Sequence, residues 1–194
     1  MSKKVKVPLI IVIVLVCLFL LLVIGLNGYF KIPVISYYLS SEKSFEIPDL
    51  GKGFTPQGLT YSKVNQEFLI TGYMANGDPS AVYVVEQEKG TEATAKKVIL
   101  LKEDATPFAG HNGGLAVHGD YVYVAGDVDC CLYVYSYPAI RIAKDGEQVE
   151  CLGCFPIEED MRIDFVSNTE EKLIVGEFYM DGKFDTPKEH HGKT

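Results

Sequence analysis

Two hydrophobic patterns divide the chain. From Val7 to Phe30 no charged residue occurs, and Val7 to Leu26 is almost wholly Val, Ile, Leu and Phe. Twenty such residues in a helix span about 30 Å, the thickness of the hydrocarbon core of a bilayer. The run predicts one transmembrane helix. A cleaved signal peptide would carry an apolar region of about 7–15 residues and a small-residue cleavage site. Gly25-Leu26-Asn27-Gly28-Tyr29-Phe30 lacks that site, so the segment reads as an uncleaved signal-anchor. Lys3, Lys4 and Lys6 precede it, and the positive-inside rule puts them in the cytoplasm and the bulk of the chain outside.

Beyond residue 45 the pattern changes. Short alternating runs rich in Val, Ile, Tyr and Phe are bounded by Gly, Asp, Asn and Pro, with no sustained helical period. Phe68–Gly72, Ala81–Val85, Tyr121–Gly126 and Leu132–Tyr135 are predicted strands, with further ones at Lys97–Leu101, Val149–Phe155 and Leu173–Val175. Stacked, they repeat. Gly58-Leu59-Thr60-Tyr61, Gly114-Leu115-Ala116-Val117 and Phe165-Val166 each lead through a polar turn into a strand closed by Gly72, Gly126 or Gly176, spaced by 54 and 50 residues. Four strands per roughly 50 residues is the arithmetic of a propeller blade.

Pro56-Gln57-Gly58-Leu59-Thr60 and Gly113-Gly114-Leu115-Ala116-Val117, each followed by a hairpin and an aromatic strand, resemble blade openings of six-bladed β-propellers, loosely the gluconolactonase and strictosidine-synthase-like group. The resemblance implies an all-β fold of repeated four-stranded antiparallel blades, with starts near Thr55, His111 and Met161. The expected organisation is a basic tip at 1–6, the anchor at 7–26, a linker at 27–44, blades at 45–178 and a polar tail or truncated loop at 179–194. Two blades and half of a third are present, so a partial propeller from a longer chain is expected.

The 194 residues carry a formal charge of −8, and all 26 acids lie beyond residue 30. Such acidity excludes a general nucleic-acid binder, which needs clustered Lys and Arg, and an anionic membrane surface will not attract it. The expected partners are the bilayer, through residues 7–26, and an unidentified protein or glycan.

Cys17 lies in the membrane run, as a small buried hydrophobe. Cys130, Cys131, Cys151 and Cys154 lie outside, where disulfides persist. Cys151-x-x-Cys154 also has zinc-ligand spacing, but its partner pair is adjacent. If the strands around them form a hairpin turning near residue 142, Cys130 faces Cys154 and Cys131 faces Cys151. Two bridges, one on each face, are therefore expected.

Stacking the repeats brings Gln57, His111, Asn112, Arg162 and Asp164 to the loops entering the first strands, the expected binding set. In the gluconolactonase-like group such positions hold a metal; here Asp164 is the one carboxylate so placed, with Arg162 beside it. No metal or cofactor is assigned. Asn76–Pro79 and Asp127–Asp129 read as plain hairpin loops, without the Gly and Glu of an EF-hand. Glu177, His190 and His191 could form an acid–base or metal cluster, although an exposed polar tail is the favoured reading. Nucleophile-elbow, zincin and phosphate-loop motifs are absent. The expected function is an extracytoplasmic binding or scaffolding module. The alternative is a lactone or ester hydrolase dependent on a divalent metal such as calcium, and the catalytic residues are unassigned.

Overall fold

The computed structural model describes residues 3–42, 44–87, 92–126, 131–157 and 161–190. Residues 1–44 and 45–194 form two units. The first is helix α1, Lys3–Leu39. Its stretch Ile10–Leu39 is long and apolar enough to cross a membrane. Most of the predicted linker is thus helical. Lys31 is the single charge between Val7 and Leu39, and the helix ends where Ser40 and Ser41 turn their hydroxyls onto the Tyr37 carbonyl.

The second unit is mostly antiparallel strands. β1 (Phe54–Ser62), β2 (Glu67–Met74), β3 (Ala81–Glu86) and β4 (Thr94–Leu100) pair in chain order. β5 (Asn112–His118), β6 (Tyr121–Gly126) and β7 (Cys131–Ser136) begin a second sheet. The chain then departs from expectation. Instead of turning near residue 142 it forms helix α2 (Tyr137–Ile142), capped by Ser136, whose hydroxyl accepts the Ala139 N–H. The predicted strand Val149–Phe155 is split. β8 (Gln148–Val149) joins the first sheet, parallel to β4, while β9 (Cys151–Pro156) pairs with β7. β10 (Ile163–Asn168) and β11 (Leu173–Glu177) form a third, two-stranded sheet. Among the described residues no sheet closes on itself.

The sheets bury opposite faces against one another. Leu69, Val82, Val84 and Val98 of the first meet Leu115, Val122, Val124 and Tyr135 of the second in the largest core cluster. Ala116, Ala125 and Leu132 on the other face of the second sheet meet Ile163 and Val166. Strand β3 is buried on both faces, which explains its unbroken apolar run. β1, β5 and β10 lie side by side. Glycine makes this approach possible: a Cβ on Gly113 would collide with the Asp164 carbonyl, and one on Gly58 would meet Thr71 Oγ1 and the Gly114 backbone.

The second sheet corrects the disulfide pattern. Cys131 bonds Cys154, with 5.9 Å between Cα atoms, inside the usual range. The expected pairs, Cys130–Cys154 and Cys131–Cys151, are not formed: Cys151 is a free thiol, and Cys130 lies outside the described residues. Helix α2 lengthens the connection, so Tyr133, not Cys130, stands opposite Cys154, and Cys131 stands opposite Pro156. Cys131 and Tyr133 share a face, so Cys131 reaches Cys154 diagonally.

Candidate functional site

Each first strand carries an irregularity at the same level. The β1–β2 register shifts at Gln57, β5–β6 between Asn112 and Leu115, and β10–β11 at Asp164. A β-bulge inserts an unpaired residue and re-aims its side chain. Gln57, Gly113 and Asp164 all line one cavity of about 470 Å³, a size suited to a small ligand.

Of the predicted set, Gln57, His111, Arg162 and Asp164 line this cavity together. Asn112 does not. Its side chain is fully buried beneath the mouth, and neither polar atom has a partner among the described residues. His111 is exposed and packs at a tilt against Tyr73, with ring centroids 4.2 Å apart. Gly110, at φ 151°, adopts a backbone that favours glycine just before it.

Most of the remaining wall comes from residues the sequence reads as a polar tail, beginning from Phe178 at the end of the expected blades. Phe178, Phe184, Asp185 and Thr186 complete the lining together with Phe165. The segment folds back through a bridge between Met180 and Phe184, and the Phe178 and Phe184 rings meet edge to face at 5.8 Å. Two carboxylates hold it there. Asp164 Oδ2 accepts the Phe178 N–H at 2.9 Å. Glu177 Oε1 accepts the Arg162 N–H at 2.9 Å, and Oε2 lies 2.8 Å from His190 Nδ1. Both Glu177 and His190 side chains are largely buried, at 9% and 15% exposure. His191 and Asp127–Asp129 lie outside the described residues. Among those described, no group of three or more His, Cys, Asp or Glu side chains is arranged to hold a metal ion.

Sequence reasoning missed Phe178, Phe184, Asp185 and Thr186 as site residues. The one signal was Phe178-Tyr179-Met180, an apolar triplet unsuited to an exposed tail. The site thus combines an apolar wall of three Phe rings with polar groups concentrated at the bulges. No protein-family model, curated protein or solved structure matches the chain.

Proposed function

We propose that this chain is a membrane-anchored, extracytoplasmic binding module. It uses a partial propeller to hold a small amphipathic ligand in the cavity lined by Gln57, His111, Arg162, Asp164 and Phe178. The observation that carries the reading is the convergence of three bulges, one per first strand, on a single cavity with an aromatic wall. Helix α1 supplies the anchor, with its lysines in the cytoplasm. The hydrolase alternative has the Glu177–His190 contact in its favour. Binding ranks above it because Asp164 and Glu177 each already accept a backbone N–H, a role that secures the cavity wall.

The test uses the full chain in detergent micelles. A fragment library screened by saturation-transfer NMR should yield hits displaced together, and Phe178→Ala and Asp164→Asn should weaken them. Lactone and aryl-ester hydrolysis is followed alongside, with added divalent ions. Turnover abolished by both Asp164→Asn and His111→Ala would reverse the ranking.

A further inference from the structure

A second cavity, a groove of about 860 Å³, lies among the hairpin turns that follow β1, β5 and β10. Its walls include Tyr61, Ser62, Asn65, Tyr137, Arg141 and Asn168. Behind it lies Glu67, with no exposed surface. Glu67 Oε1 accepts the Tyr137 hydroxyl at 2.5 Å and the Arg141 Nε–H at 3.1 Å. A buried carboxylate survives by such charge-assisted bonds.

The consequence for Arg141 is orientation. A guanidinium is planar, so fixing Nε fixes the plane of the whole group. Lys96 adds a second tether by donating to the Arg141 carbonyl. The side chain is 41% exposed, and among the described residues its two terminal nitrogens carry no partner. A fork of donors held on a rigid support at a groove wall is suited to bidentate recognition of a planar anion.

The rest of the groove narrows the ligand class. Lys63 and Arg141 line the groove together with Asp120 and Glu170, and Glu67 lies behind Arg141, so there is no excess of positive charge here. A polyanion needs clustered cations and finds none here; one negative charge is the fit. Asn65 and Asn168, both part-exposed, offer amide groups that match hydroxyls. Tyr61 is 46% exposed, and its ring packs on Phe68 with centroids 4.7 Å apart. It presents a flat apolar surface beside these polar groups.

We propose that this groove binds a carboxylate-bearing sugar, a uronic-acid unit of a glycan, with the carboxylate on Arg141 and the ring against Tyr61. Full-length chain in detergent micelles is titrated by NMR with D-glucuronate, an oligogalacturonate, D-glucose and inorganic phosphate. Saturable glucuronate binding is expected, at least tenfold weaker for glucose and phosphate and no tighter for the polyanionic oligogalacturonate. Arg141→Lys keeps the charge but loses the fork, and should weaken glucuronate about tenfold. If that variant fails to fold by circular dichroism, Tyr61→Ala carries the test with an expected loss of threefold or more. Three results overturn the proposal: glucose binding as well as glucuronate, phosphate binding as well as glucuronate, or no saturable uronate binding by folded protein. Unchanged affinity in the folded variants overturns it too.

Discussion

Breaking the Cys131–Cys154 bridge tests both the register of the second sheet and its contribution to stability. The bridge closes a separation of 23 residues, which in the chain-entropy model removes about 3 kcal/mol from the unfolded ensemble. The enclosed segment holds α2, β8 and the start of β9, so the bridge ties a connection that crosses between two sheets. For a unit of about 150 residues, a loss of about 3 kcal/mol lowers Tm by about 6–12 °C. Cys131→Ser, Cys154→Ser and the double substitution, melted without reductant, should fall by similar amounts, because one bond is lost in all three. Peptide mapping of unreduced protein should recover a Cys131–Cys154 linkage. Burial pushes the Cys151 thiol up, so its alkylation should be slow at neutral pH and quicken in alkali. Additive losses in the double variant, or a Cys131–Cys151 peptide, would refute the register.

Other outcomes follow from single contacts. Glu67→Ala leaves the buried Tyr137 hydroxyl and the part-exposed Arg141 without their acceptor and should cost about 1–3 kcal/mol in urea unfolding. Glu67→Gln should cost less than half as much, because its amide can keep Oε1 in place and puts nitrogen where Oε2 has no partner among the described residues; equal costs would show that the bonds to Oε1 are unimportant. Hydrogen bonds from Lys52 and then Tyr83 hold the Asp49 carboxyl below its usual range. Its contribution is therefore present above the unfolded carboxyl pKa and is lost as pH falls through the lower folded value, and Asp49→Asn should flatten the acid limb of the stability profile. Gly113→Ala drives a methyl into the Asp164 carbonyl and should destabilise by more than 1 kcal/mol; a neutral result would mean that β5 and β10 approach less closely. Membranes extracted with carbonate should retain the chain through α1, and its release would remove the anchor.

The sequence exposed the hairpins because their signals are local. Tyr121–Gly126 is a strand from end to end, and the turns at 62–67, 118–121 and 168–173 join the pairs expected. Helix α2 was less legible. Its Ser136 cap and Pro in the first turn are visible in hindsight, but six residues are too few to set up a helical period. Missing it displaced the β7–β9 register by about three positions. Leu152 compounds the error: the register shift there puts Cys151 opposite Tyr135 and Cys154 opposite Tyr133, so two cysteines three apart share a face that simple alternation would separate. In the cavity, Gln57, His111, Arg162 and Asp164 were legible because stacking the similar sequence segments put them at one level. The Phe178–Thr186 wall was not, since it depends on carboxylates of β10 and β11 meeting the backbone N–H groups of Phe178 and Arg162 just beyond the strands.

One packing event accounts for both cavities. Glycines at 58, 113 and 114 let β1, β5 and β10 lie within backbone contact, closer than side-chain packing allows. Strands that close cannot keep perfect pairing with their own hairpin partners, and the register breaks at Gln57, Gly113–Gly114 and Asp164, where the approach is tightest. Those breaks turn polar groups into the mouth at one end. At the other end the pairing is regular, and the hairpin turns splay around Tyr61, His118 and Asn168 to leave the wider groove. The two ends therefore differ in kind: one is built from bulges and an aromatic wall, the other from turns and a single oriented guanidinium. A substitution at Gly113 should disturb both ends, whereas Asp164→Asn and Arg141→Lys should each be felt at one.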